Sequence, residues 1–220
     1  MTETRSKPRG PRQALILAGL VAVGFAMSVL LRQSVFTGED LSEFGWAERI
    51  LAEEGYPVGG SPDGDVTVMV FTDYACGICR ISDPELERAA EEDGNVRIVY
   101  RLWPVFGPPS ERAARLAMAA DRQGVFAPFH TELLASAALS PQGIQRTLEQ
   151  AGGNWNRAQS DLAEHGEAVD AALSATHKSA FRMSLRGTPA YLVGPYLLRG
   201  KGSEGMFKKA FERARKEKGK

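Results

Sequence analysis

Two cysteines occur in this 220-residue chain, and both belong to one motif, Cys76-Gly77-Ile78-Cys79. The motif follows Val66-Thr67-Val68-Met69-Val70-Phe71, an apolar run that reads as a buried strand. It precedes residues 81–92, which read as a helix. A Cys-x-x-Cys at a strand-to-helix junction sets the first thiol at a helix N-terminus. There, unpaired N–H groups and the positive end of the helix dipole favour thiolate over thiol. The thiolate is the species that attacks a disulfide, and a second thiol this close resolves the mixed disulfide. The competing reading is a structural bridge or two inert thiols. A bridge that closes so short a loop removes little entropy from the unfolded chain. Redox chemistry is the expectation for this pair.

The N-terminal region argues for export. Arg5, Lys7, Arg9 and Arg12 precede residues 14–31, which run for 18 positions without a charge before Arg32. As a helix this run spans about 27 Å, close to the hydrocarbon thickness of a bilayer. It has no polar face, which argues against a core helix. The basic flank orients residues 1–12 to the cytoplasm as a basic tail. Residues 13–32 then read as a transmembrane anchor or a signal segment. Ala26-Met27-Ser28 offers a small-x-small cleavage site, but Val29-Leu30-Leu31 continues the apolar run beyond it, which favours the anchor. In a Gram-negative cell the expected location is the inner membrane, with the Cys pair facing the periplasm, where dithiols can be held oxidised.

The remaining chain divides into residues 33–56, a linker and short helix, and residues 57–220, one domain long enough for a sizeable core. In the first part Leu41, Phe44, Ala47, Ile50 and Leu51 recur at helical spacing, with Asp40 placed to cap and Gly55 to stop. A stalk, an oligomerisation helix and a packed extension all fit this pattern. Residues 56–65 are rich in Gly and Pro and mark where the domain starts. Val96-Arg97-Ile98-Val99-Tyr100 reads as a second strand, half buried. Helical signals then dominate residues 110–185. Ser110 with Glu111 opens an alanine-rich helix to Arg122, and breaks fall at Gly124, Ser140-Pro141, Gly152-Gly153 and Gly166, giving four or five helices. Tyr191-Leu192-Val193 and Tyr196-Leu197-Leu198 read as a hairpin around Gly194-Pro195. A final amphipathic helix carries Met206, Phe207, Ala210 and Phe211. The order is strand, helix, strand, helical block, two strands and helix: an α/β layer with a helical insertion. The 27 basic and 27 acidic residues balance, which argues against nucleic acid as a partner. The basic run near the C-terminus reads as a solvated last helix whose cations suit its dipole.

Gly187-Thr188-Pro189 precedes the late strand pair. Alone it is a turn signal. Together with the upstream Cys pair, it is where a cis-proline would leave the Thr188 backbone free to pair with an extended substrate. At this point the chain resembles the DsbA-like thioredoxin family of exported bacterial thiol-disulfide oxidoreductases, many of them membrane-anchored. The resemblance rests on Phe71-Thr72-Asp73-Tyr74-Ala75-Cys76-Gly77-Ile78-Cys79-Arg80, on Val99-Tyr100-Arg101-Leu102-Trp103-Pro104, on Ser110 with Ala113-Ala114, and on Gly187-Thr188-Pro189. It covers residues 57–217. It implies a thioredoxin-like fold, with a helical insertion at about residues 108–185 between the second strand and the cis-Pro strand, preceded here by an N-terminal transmembrane helix. It implies that Cys76 attacks, Cys79 resolves and Pro189 is cis, with Gly77, Ile78 and Thr188 meeting substrate. It calls for no cofactor and no metal. The implied partners are exported proteins with cysteines, a membrane redox partner that reoxidises or reduces the pair, and the membrane itself through residues 14–31.

The chain departs from the family twice. Members often carry a buried acid six positions before the first Cys, and here that position is Val70. Proton handling then falls to water or another group, with Asp73 considered but read as a turn or capping residue. Strongly oxidising members carry His in the dipeptide; Gly77-Ile78 offers no such cation, so the pair is expected to be a weaker oxidant. Oxidase, isomerase and reductase all remain open. Two rivals are a Cu(I) carrier binding through both thiolates and a chaperone module without chemistry. His130, His165 and His177 show no ligand spacing and read as surface or helix residues.

Overall fold

The computed structural model describes residues 19–21, 24 and 38–219. The chain divides into two compact units, residues 1–37 and 38–220. In the first, residues 19–21 and 24 are helical and exposed. Apart from these four, the expected anchor at 13–32 lies outside the described residues, as does the basic tail. Among the described residues no helix is long and apolar enough to cross a membrane.

The second unit is one six-stranded sheet with helices on both faces. In chain order its elements are β1 (Glu39–Asp40), α1 (Trp46–Leu51), β2 (Val58–Gly60), β3 (Val66–Thr72), α2 (Cys79–Asp93) and β4 (Val96–Leu102). Then follow α3 (Pro108–Arg122), α4 (Phe126–Ser136), α5 (Pro141–Gln150), α6 (Trp155–Arg182), β5 (Ala190–Val193), β6 (Tyr196–Arg199) and α7 (Glu204–Lys218). The strands lie in the order β1-β6-β5-β3-β4-β2. β3 and β4 are parallel, from Val66 beside Val96 to Thr72 beside Leu102, and α2 makes the crossover such a pair requires. β5 runs antiparallel to β3 and turns back into β6 through Gly194-Pro195. Gly194 has φ +51, and a Cβ there would sit 3.0 Å from that of Ala214, so the turn needs glycine for both conformation and space.

The period of two sorts the sheet's side chains between its faces. Met69, Phe71, Val99, Ala190, Leu192 and Leu197 join Leu41, Ala47 and Ile50 and Ala180 and Met183 of the α6 end in one core cluster. Val70, Thr72, Tyr100 and Tyr191 alternate with these and face α2, α4 and α7. There Tyr100 meets Glu87 and Phe126, and Tyr191 meets Phe207.

Several expectations change. β4 is not half buried: only Arg97 along it is partly exposed, because helices cover both faces of this inner strand. Of the three readings of residues 41–51, the packed extension is the one observed. The helix is only six residues long, residues 39–40 form an edge strand on β6, and Leu41, Ala47 and Ile50 enter the core. The Gly-rich stretch after it contains β2, paired with β4. α3 opens at Pro108 rather than Ser110, whose hydroxyl turns inward. Gly166 does not break the chain: α6 runs 28 residues through it. An interior glycine costs a helix only about 1 kcal/mol. A Cβ at 166 would approach the Arg115 guanidinium to 3.1 Å, and Arg115 also pairs with Asp170, so the glycine leaves room for that side chain between α3 and α6. The insertion therefore holds four helices, α5 and α6 being capped by Ser140 and Asn154 as those residue types dictate. In α7, Arg215 bonds both Asp65 and Asp93, so part of the basic end is tied to the domain.

Candidate active site

The strand β3 ends at Thr72, and three residues, Asp73, Tyr74 and Ala75, cross to the dithiol. Asp73 organises this crossing. Its Oδ1 accepts from the Ala75 N–H at 2.8 Å and the Ser110 hydroxyl at 2.6 Å, and its Oδ2 accepts from the Val105 and Phe106 N–H groups. It is a turn residue, one of the two roles the sequence suggested, and caps neither neighbouring helix. It also holds the exposed Val105 and Phe106 beside the Cys loop. With exposed Ile78 and Ile81, these give the loop apolar surroundings.

Cys76 stands just before α2. No side chain caps that helix; instead the Cys79 N–H donates to Cys76 Sγ at 3.3 Å, so the sulfur serves as acceptor for a first-turn donor. The Cys76 thiol donates to the carbonyl oxygen of Thr188, also at 3.3 Å, across 112 positions of sequence. The Thr188–Pro189 peptide is cis. Cys76, Cys79, Thr188 and Pro189 are thus brought together, and Gly77 and Ile78 form the exposed rim. Both thiols are free. An open cleft of about 470 Å³ runs beside Gly187 and Thr188, walled by Ser184, Arg186 and Arg199. Thr188 Oγ1 is buried with no hydrogen-bond partner among the described residues.

The two thiols differ. Cys79 is wholly buried, and burial first, then the nearby Asp83 carboxylate, push its thiol far above the usual range. It stays protonated until it must react. Asp83, one helical turn on, was missed in the sequence. Its Oδ2 accepts from the Thr72 hydroxyl, and its Oδ1 accepts from the Tyr191 hydroxyl at 3.0 Å. Burial raises it to about 7 despite both bonds. Val70, where the resemblance led one to look for an acid, pairs with Tyr191 on one side and Tyr100 on the other, on the sheet face that Asp83 also meets. The acid is therefore present, carried by α2 instead of β3. An Asp four residues after the second Cys, and so on the same side of the helix, was the available signal. The three histidines all lie on helices, but His130 is buried rather than at the surface, and burial lowers it to about 3.

The comparisons with known proteins agree with this geometry. Residues 67–212 match the model of the DSBA-like thioredoxin domain family. A thioredoxin-like oxidoreductase from Silicibacter pomeroyi is 35% identical, with a TM-score of 0.72 over 77% of this chain and 97% of that one. The thiol-disulfide exchange protein alpha-DsbA2 from Wolbachia pipientis is 20% identical and shares the fold, with a TM-score of 0.73 over 78% of this chain and 94% of that one. The Na(+)/H(+) antiporter NhaA 3 of Salinispora tropica is 30% identical over 171 residues, 74% of this chain and 26% of the antiporter. The chain spans about a quarter of the length of the curated relatives it matches. On the extent of the family match and the 35% identity, the chain belongs to the DSBA-like thioredoxin domain family.

Proposed function

We propose that this chain exchanges disulfides with exported, cysteine-containing proteins as an oxidase or isomerase, Cys76 attacking and Cys79 resolving. The observation that carries this is the setting of Cys76 Sγ, which lies between the Cys79 N–H and the Thr188 carbonyl at 3.3 Å from each. The N–H stabilises a thiolate, and the carbonyl marks the backbone beside which an extended substrate segment would lie. Substrate approaches over exposed Gly77 and Ile78, with the cleft beside Thr188 taking its flanking residues. Pro189, in its cis peptide, holds the Thr188 carbonyl toward Cys76. Cys79, buried and protonated, waits until a mixed disulfide forms at Cys76. The absence of a cation in Gly77-Ile78 supports a moderate rather than extreme oxidant.

We further propose that residues 14–31 tether the domain to the inner membrane, facing the periplasm, near a membrane redox partner that resets the pair. The uncharged run and its basic flank support this. Membrane fractionation tests it: the protein should pellet and resist high salt, and a soluble product starting near Val29 would refute the anchor.

For the chemistry, the test is alkylation and trapping. Cys76 should react with iodoacetamide near neutral pH and Cys79 should not. Cys79→Ser should accumulate mixed disulfides with substrates, and Cys76→Ser should abolish the protein's acceleration of dithiothreitol-driven insulin reduction. Faster alkylation of Cys79 would reverse the assigned polarity. Wild-type protein that never accelerates insulin reduction would leave the chaperone or Cu(I)-carrier readings.

A further inference from the structure

A protein that exchanges disulfides at Cys76 must lay part of its chain beside that sulfur, and the groups flanking this path can choose among substrates. Open space exists there: a Cβ added at Gly77 or at Gly187 would meet nothing within 4 Å. Two elements bring charge to the same place. α6 ends at a corner fixed by two backbone bonds, from the Ser184 N–H to the Phe181 carbonyl and from the Leu185 N–H to the Ala180 carbonyl, both at 2.9 Å. Arg186 and Gly187 then separate this corner from Thr188, whose carbonyl meets Cys76 Sγ. From the other side β6 closes on the loop. The Gly200 N–H donates to the Pro189 carbonyl at 2.9 Å, and Arg199 stands opposite Ala190. Arg186 and Arg199 thus both line the cleft of about 470 Å³ beside Thr188.

The two guanidinium groups are in different states. Arg199 is engaged: Nη2 donates to the Met183 carbonyl at 3.1 Å, and Nη1 pairs with the Glu39 carboxylate of β1, which lines the cleft as well. An acidic side chain on extended backbone is therefore already held at this cleft by a guanidinium. Arg186 is exposed and has no ion pair or hydrogen bond among the described residues. With two arginines against one glutamate, the lining of the cleft is net positive.

Resting on the exchange chemistry proposed above, we propose that Arg186 selects substrates carrying an acidic residue about two positions from the cysteine they present to Cys76. Arg199, shared with Glu39, adds to the same preference. The spacing follows from extended chains, which advance about 3.3 Å per residue. Arg186 lies two residues from Thr188, so a substrate strand beside Thr188 brings a residue about that far from its cysteine opposite Arg186. The guanidinium fork matches a carboxylate in two parallel hydrogen bonds, whereas a basic residue at that point meets net positive charge. The contact lies at a solvated rim, so it discriminates between substrates more than it tightens binding.

The test measures how fast the oxidised protein reacts with two-cysteine peptides that differ at a single position. Glutamate, glutamine or lysine is placed about two residues before or after the first cysteine. One peptide thiolate attacks Cys76, the new S–S bond forms there and the Cys76–Cys79 bond breaks. Cys79 leaves with the electron pair and takes up one of the protons the peptide released. The second peptide thiolate then displaces Cys76, so the peptide ends as a disulfide and the protein as a dithiol. Reaction of the same peptides with oxidised dithiothreitol corrects for the effect of each charge on the peptide thiol itself. The glutamate peptide should react about two- to fivefold faster than the glutamine peptide, the scale of an exposed ion pair, and the lysine peptide more slowly. The ratio should shrink in about 0.5 M salt. Arg186→Gln should bring the ratio toward one, and Arg186→Glu should turn the preference to lysine. Glu39→Gln should enlarge the preference for glutamate by freeing Arg199. If Arg186 only shapes the loop, both of its variants will change all three peptides alike and leave the ratios in place, which would overturn the proposal. Equal corrected rates for the three peptides in wild type would also overturn it, and an unchanged ratio in Glu39→Gln would remove Arg199 from the selector. Wild-type protein that exchanges with none of the peptides, as thiols or as disulfides, would instead refute the exchange chemistry itself.

Discussion

Arg101 and Asp83 are both buried against the same sheet, on opposite faces, and their surroundings treat them differently. Each prong of Arg101 is occupied: Nη1 bonds Glu53 at 2.5 Å, Nε bonds Thr176 and Nη2 bonds Ser179, both at 3.1 Å. Its guanidinium also lies 3.9 Å over the Tyr56 ring. These contacts tie β4 to α6 and to the chain after α1, and they leave the charge nothing to do but hold the fold. Asp83 has two hydroxyls and, among the described residues, no paired cation, so burial raises its carboxyl into the neutral range. A buried charge with a full set of partners is structural; one with partial compensation, set next to a reactive thiol, is available for chemistry.

The difference predicts opposite responses to neutralisation. Arg101→Met keeps the apolar stem and removes the charge, leaving Thr176 and Ser179 without their donor. It should lower unfolding free energy by about 3 to 5 kcal/mol in a urea titration, with the pH profile of exchange unchanged. A cost below about 1 kcal/mol would mean the contacts are incidental.

Asp83→Asn should do the reverse, and the sign follows from linkage. An acid raised to about 7 in the folded state contributes stability that is fully present below its unfolded value. That contribution is lost as pH rises through about 7. Wild type should therefore lose about 4 kcal/mol between pH 4 and pH 8 from this group, and the asparagine variant should be flatter and more stable at the alkaline end. Equal pH dependence in the two proteins would mean that Asp83 is compensated as fully as Arg101.

The smallest expected effect comes from adding a cation at the open end of the site. Ile78 is 46% exposed, so a histidine there would favour the Cys76 thiolate through solvent-screened contact. Ile78→His should raise the reduction potential by about 30 mV or less, corresponding to about 1.4 kcal/mol for a two-electron couple. An unchanged or lower potential would show that charge near this sulfur is too well screened to set its poise.

Much of the architecture was legible because its signals are local. The runs ending at Phe71 and Tyr100, the breaks at Ser140-Pro141 and Gly152-Gly153, and the Gly194-Pro195 turn all act within a few residues. Gly166 misled because a helix tolerates one glycine when a neighbour packs against it, and that neighbour, Arg115, is 51 positions away. β4 misled for a similar reason: alternation reports one covered face, and the second cover came from helices distant in sequence.

The site divides along the same line. The amino-acid sequence by itself determined the dithiol, its place between strand and helix, and the Thr-Pro that ends the helical insertion. Those features depend on neighbouring residues and on backbone chemistry that any fold would express. Only the tertiary structure decided that Thr188 lies against Cys76, and that Asp83, with Tyr191 108 positions away, stands where Val70 left no acid. Thiol reactivity and proton transfer depend on distance and local dielectric, and both are set by groups that meet only once the sheet has closed.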